Sequence, residues 1–289
     1  MSSIWRPVRE RNPARSLMVV VAHPGDEAFG FGGAIARVAA EGAYVVVVCA
    51  TRGVFDSRLT RKPPAPGGKN RDPRTDAIVW RNIDTIREDE MRRSVALLGV
   101  RVLRMLDYAE DDLPEVDFDL LVSRLVEPIR MHHPEVILTF GPDGVTGDPD
   151  HVVLSRAMTA AFAAAGEPLT YEDDIEEDQV AWRAAKLYHL VVPVSQVAAL
   201  GLSRVGGGYG SPDGSETITL DLGELADLKL AAIARHVSQT GSAGPFHDWD
   251  TSARNRYLAT ESYRLARSNL PRPAGESKPV ESDLFDGLP

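Results

Sequence analysis

Five short apolar runs, each closed by a turn signal and followed by a stretch of helical periodicity, dictate the architecture open to this chain. The runs lie at 17–22, 44–50, 102–106, 136–140 and 187–192, and the helical stretches at 29–40, 83–98, 120–131, 152–164 and 225–236. Unbroken apolar runs of strand length suit strands covered on both faces, and the intervening helices supply the crossovers that parallel strands require. This β-α-β-α order predicts an α/β fold with a mostly parallel sheet flanked by helices and an irregular C-terminal part.

The segments that break this rhythm are informative in other ways. A long Pro-, Gly- and Arg-rich stretch at 54–77 has the length of a functional loop and is expected to be an active-site flap, its basic part suiting an anionic or polyhydroxylated substrate. An acidic run at 171–179 reads as solvated surface, and 201–215 as a flexible loop. The expected division is an N-terminal extension at 1–16, one domain at 17–267 and a tail at 268–289 with the composition of disorder.

Composition excludes several classes. The formal net charge of −10 argues against a nucleic-acid partner, which needs a basic stripe. No apolar run approaches the roughly 20 residues that span a bilayer, so no membrane partner is expected. The run at 17–22 is too short for a secretory signal core, and a cytoplasmic protein is expected. A single cysteine, Cys49, rules out an internal disulfide and a thiolate cluster, leaving His and carboxylates as metal ligands. Homo-oligomerisation stays open.

Two stretches carry candidate chemistry. "VVVAHPGDEAFGFGG" at 19–33 places His23, Asp26 and Glu27 between the first strand and the first helix. "FGPDGVTGDPDHVVLSRA" at 140–157 repeats that placement, raising His151 from the same carboxyl edge of the sheet. Two strand-end histidines and Asp26 make a three-ligand set with a fourth position free for water, the pattern of a catalytic zinc site. Asp148 followed by Pro149 also reads as an N-cap and first helical residue, and Asp150 suits the helix dipole; both are candidate catalytic groups as well. His132 and His133 are expected at the surface, His189 lies within an apolar strand, and His236 and His247 are candidates for a pocket wall. The glycines of "GFGGA" at 30–34 lack the full dinucleotide fingerprint and are expected to let the first helix pack closely on the sheet.

"AHPGDE" with "GDPDH" resembles the PIG-L (LmbE-like) family of zinc-dependent N-acetylglucosaminyl deacetylases, whose usual forms are A-H-P-D-D-E and H-P-D-H. The similarity extends through "CATRG" at 49–53, "IREDEMRRSVALLGV" at 86–100 and "KLAAIARHVSQT" at 229–240, covering about 17–265. The resemblance implies a Rossmann-like sheet and a Zn2+ ion, or another first-row divalent metal, held at His23, Asp26 and His151. It also implies hydrolysis of an N-acyl group from an amino sugar or a sugar-containing small molecule.

Two departures bear on that chemistry. The first aspartate of D-D-E, which acts in the family as general base, is Gly25, and the first histidine of H-P-D-H is Asp148. A smaller one is Val54, where many relatives carry glutamate. Zinc lowers the pKa of bound water to about 7, but loss of a general base costs about 10²–10⁴ in rate and loss of an oxyanion donor about 10²–10³. An acid lost at Gly25 and one gained at Asp148 suggest that Asp148 takes the proton from water and returns it to the leaving amine. The alternatives are a zinc-retaining protein that is catalytically silent and one redirected to other chemistry. Arg52, in the turn after the second strand, is the candidate for contact with a substrate hydroxyl, phosphate or carboxylate.

Overall fold

A computed structural model describes residues 15–55, 83–171, 180–199, 210–240, 251–271 and 281–289. Apart from two residues that end a strand, the expected flap at 54–77 lies outside them, as do nearly all of the acidic run, most of the loop at 201–215, and His247.

Among the described residues, seven strands form one sheet: β1 (Ser16–Val21), β2 (Tyr44–Phe55), β3 (Val102–Glu110), β4 (Val136–Phe140), β5 (Lys186–Val191), β6 (Ile218–Asp221) and β7 (Thr260–Ser268). Their order is β3-β2-β1-β4-β5-β7-β6. β1 to β5 are parallel, whereas β7 runs antiparallel to β5 and β6 antiparallel to β7. Every residue of β1, β4 and β5 is buried, the result expected of apolar runs covered on both faces.

The main helices are α1 (Asp26–Ala40), α2 (Ile83–Leu97), α3 (Phe118–His132), α4 (Pro149–Ala164), α5 (Leu225–Ile233) and α6 (Thr251–Ala259). α1, α2 and α5 pack together on one face, and α3 packs with α4 on the other. Asp117 caps α3 by accepting from the Leu120 amide at 3.0 Å, and Asp148 caps α4 with Pro149 at its first position. The glycines of α1 do permit close packing: a Cβ on Gly33 would overlap the Leu222 side chain. Among the described residues no helix is long and apolar enough to cross a membrane.

The two antiparallel strands escape the sequence reading because neither is a continuous apolar run. β6 alternates buried and exposed residues over four positions, and β7, "TESYRLARS", is largely polar. The tail expected to be disordered from residue 268 is corrected at its described residues, 268–271 and 281–289. β7 runs through Ser268, and farther on Leu284 and Phe285 are 2% and 3% exposed within the core. Glu281 takes an ion pair from buried Lys186 at 2.7 Å and a hydrogen bond from the Tyr188 hydroxyl. Composition averages over such a segment and misses anchors whose partners lie far away in the chain.

This strand order fixes where a ligand goes. From β1 the chain moves outward through β2 to β3, and it then returns to place β4 on the other side of β1. The crevice at the carboxyl ends of β1 and β4 is therefore the topological switch point, where open α/β sheets bind ligands.

Candidate metal centre

His23 follows β1, Asp26 opens α1, and His151 lies in the first turn of α4, so all three stand at this switch point. Asp26 Oδ2 accepts from the His23 amide at 2.7 Å, which fixes the carboxylate against the turn. That oxygen lies 3.5 Å from His23 Nδ1 and 3.3 Å from His151 Nε2, and the two nitrogens are 3.3 Å apart. Tetrahedral zinc bonds of about 2.0–2.1 Å require donors about 3.3–3.4 Å apart, so the triangle fits such an ion.

Each imidazole is oriented from behind. His23 Nε2 lies 2.9 Å from Asp150 Oδ2, and His151 Nδ1 lies 3.1 Å from the Gly144 carbonyl. A carboxylate and a carbonyl only accept, so these nitrogens carry the protons and leave His23 Nδ1 and His151 Nε2 free as ligands. The Phe140 ring stacks on His151 with centroids 3.9 Å apart, fixing the ring plane. Burial opposes charge on His23, yet its hydrogen bonds to Asp150 and Asp26 outweigh that cost and hold its pKa well above the usual value. Burial also works against the Asp26 carboxylate, but His151 and His23 together hold its pKa far below the carboxylate range. Protons and a metal ion thus compete for the same three donors.

Asp150 is corrected as a candidate for acting on substrate. It is fully buried, and besides facing His23 it accepts from the amides of Asp111 at 2.8 Å and Leu113 at 3.2 Å. Its oxygens are committed behind the ligand, which makes it a positioning residue. Asp148 is half-buried and faces the centre: one of its oxygens and one nitrogen from each of His23 and His151 lie within 4.8 Å of one another. Two carboxylates therefore compete for the third ligand position. Asp26, at 3.5 and 3.3 Å from the two nitrogens, matches a tetrahedral edge. Asp148 Oδ1 meanwhile accepts from the amides of Asp150 at 2.9 Å and His151 at 3.3 Å, so this residue caps α4 and borders the site at once.

Arg52 stands at the carboxyl end of β2 with its guanidinium engaged by Asp107 at 2.5 Å and Glu88 at 3.4 Å. Its side chain is 42% exposed, on the same edge of the sheet as the metal donors. His236 does not line an open wall, being fully buried with Nε2 2.6 Å from Glu27 Oε1. His132 is half-buried rather than superficial, 3.2 Å from the Tyr44 hydroxyl.

Glu27 is the hub of a network that sequence reasoning did not assemble. It accepts from the Gly25 amide at 2.8 Å and the Ser94 hydroxyl at 2.7 Å, in addition to its contact with His236. Glu90 of α2 accepts from the Ser238 amide at 2.8 Å and hydroxyl at 2.6 Å, and Gln239 Nε2 donates to the Pro24 carbonyl at 2.5 Å. The sequence signals for these contacts are the motifs at 86–100, which contains Glu90 and Ser94, and at 229–240, which contains His236, Ser238 and Gln239.

The chain is similar to known proteins in sequence and in fold. Residues 18–162 match the family model PIG-L, described as GlcNAc-PI de-N-acetylase. The chain is 32% identical over 302 residues to a 1D-myo-inositol 2-acetamido-2-deoxy-alpha-D-glucopyranoside deacetylase of Streptomyces griseus, covering 96% of this chain and 90% of that one. A protein of the same description from Geodermatophilus obscurus is 29% identical over 311 residues, with 96% and 99% covered. Among solved structures, the N,N'-diacetylchitobiose deacetylase of Pyrococcus horikoshii superposes with a TM-score of 0.65 at 19% identity, over 90% of this chain and 85% of that one. That last likeness speaks for the fold.

Proposed function

The chain belongs to the PIG-L family of GlcNAc-PI de-N-acetylases, and from that premise we propose that it is a metal-dependent amidohydrolase that removes the N-acetyl group from an N-acetylglucosamine conjugate of small-molecule size. The observation that carries the reading is the triangle of His23 Nδ1, Asp26 Oδ2 and His151 Nε2, with both imidazoles oriented from behind. Identity of 29–32% with two deacetylases over nearly the whole chain supports the substrate class.

His23, Asp26 and His151 hold the ion, for which this donor set favours zinc among the first-row divalent metals. When bound, the ion lowers the pKa of water toward about 7 and polarises the acyl carbonyl. The chain's own residues do the rest. Asp150 keeps His23 in its ligating tautomer. Asp148, anchored through Oδ1 by two helix amides, uses Oδ2 to take a proton from the attacking water as the new carbon–oxygen bond forms. The same oxygen returns that proton to the departing nitrogen as the carbon–nitrogen bond breaks. Arg52, at the rim, offers its guanidinium to a substrate hydroxyl or anionic group in exchange with Asp107.

The test is acetate release from a panel of N-acetylglucosamine conjugates, with metal content determined on the same preparation. The native protein is expected to turn over, and Asp148→Asn to lower kcat by about 10²–10⁴ with its metal retained. Undiminished kcat in Asp148→Asn would remove the proton role from this residue. Metal-loaded native protein that releases no acetate from any conjugate would leave the silent or redirected reading in its place.

A further inference from the structure

Gly25 has φ +112°, a conformation that side-chain-bearing residues rarely adopt, and a Cβ built there would overlap the carboxamide of Gln239. The space beside Gly25 is thus already filled, by a residue 214 positions later in the chain. Gln239 arrives there on a short helical turn, Val237–Thr240, which with the preceding His236 is tied down at three points. His236 contacts Glu27, Ser238 binds Glu90 through both its amide and its hydroxyl, and Gln239 Nε2 donates to the Pro24 carbonyl. The segment that receives Gln239, residues 23–26, carries two of the three metal donors; locally it is closed by the Asp26 amide on the His23 carbonyl at 3.2 Å and the His23 amide on Asp26 Oδ2 at 2.7 Å, while the Pro24 carbonyl is held from outside by Gln239.

We propose that Gln239 is a positioning residue of the metal centre, its carboxamide keyed into the side-chain volume left empty at Gly25 so that it holds His23 and Asp26 aimed at one point. This rests on the reading of His23, Asp26 and His151 as metal ligands. The same packing opposes an acid introduced at position 25 by a single substitution. In Gly25→Asp the new side chain meets both the Gln239 amide and an unfavourable backbone.

The test is metal affinity by chelator competition, together with the absorption spectrum of the cobalt(II)-loaded protein. Gln239→Ala is expected to weaken affinity about 10- to 100-fold, the usual cost of losing an outer support of a ligand, and to shift the cobalt bands. Gly25→Ala is expected to cost more affinity in the native background than in Gln239→Ala, because removing the carboxamide removes the overlap and leaves the backbone strain alone. Gln239→Glu, which keeps the volume but turns a carboxylate toward the Pro24 carbonyl, is expected to weaken affinity as well, and it serves if the alanine variant does not fold. Native affinity and spectrum in Gln239→Ala or Gln239→Glu, or an equal cost of Gly25→Ala in both backgrounds, would overturn the inference. Acetate release does not enter these readouts. Coupled metal affinities without turnover would overturn the deacetylase reading alone, and turnover with unaltered affinities would overturn this inference alone.

Discussion

Asp148 and Asp150 are two residues apart in sequence and face opposite sides of the same imidazole ligand, one bordering the site and one behind it. The sequence shows two acids at a helix start, but only the contacts assign their work. Because Asp150 accepts simultaneously from His23 and two backbone amides, Asp150→Asn turns part of that acceptor array into a donor. Metal affinity measured by chelator competition is expected to fall about 10- to 100-fold in this variant. A second residue-scale prediction concerns His189, 8% exposed with Nε2 lacking any hydrogen-bond partner among the described residues. Burial, with Arg264 and Arg267 nearby, pushes its pKa down to about 4 from 6.5. Between these values the unfolded chain binds a proton that the folded one does not, so stability is complete above about pH 6.5 and is lost as pH falls toward 4. Urea midpoints across that window are expected to fall less steeply in His189→Gln than in the native protein.

At the scale of elements, the N-terminus of α4 combines a structural cap with the carboxylate proposed to move the proton. Asparagine caps as well as aspartate, whereas alanine loses about 1 kcal/mol. Thermal unfolding is therefore expected to separate Asp148→Asn, close to native, from Asp148→Ala, destabilised by about that amount, while both lose turnover. The cap was legible because Asp148-Pro149 is a local signal, two neighbouring residues with complementary backbone preferences. The buried parallel strands were legible for a similar reason, since each is a contiguous apolar run. β6 and β7 were not: β6, at the edge of the sheet, needs only every second residue to be apolar, and β7, between β5 and β6, is largely polar and is placed by pairing with both neighbours.

Across the whole molecule, residues 281–289 are anchored against the sheet by side-chain contacts with β5. Glu281 neutralises Lys186 and accepts from Tyr188, both buried, while Arg15 stacks over Phe285 at 5.0 Å. Removing one partner of a buried ion pair costs about 3–5 kcal/mol. Glu281→Ala, or removal of residues 281–289, is expected to lower the urea midpoint by a corresponding amount, and an unchanged midpoint would show that the segment adds nothing to stability. By itself the sequence determined the α/β class, the parallel strands and the two loops that carry the proposed metal donors, since each of these is written in residues a few positions apart. The tertiary structure alone decided the strand order that makes β1 and β4 neighbours, the placing of Asp150 behind His23, and the filling of the Gly25 space by Gln239. Those decisions join groups separated by more than a hundred residues, and their energies come from burial and hydrogen bonds that exist only once the sheet has closed around them.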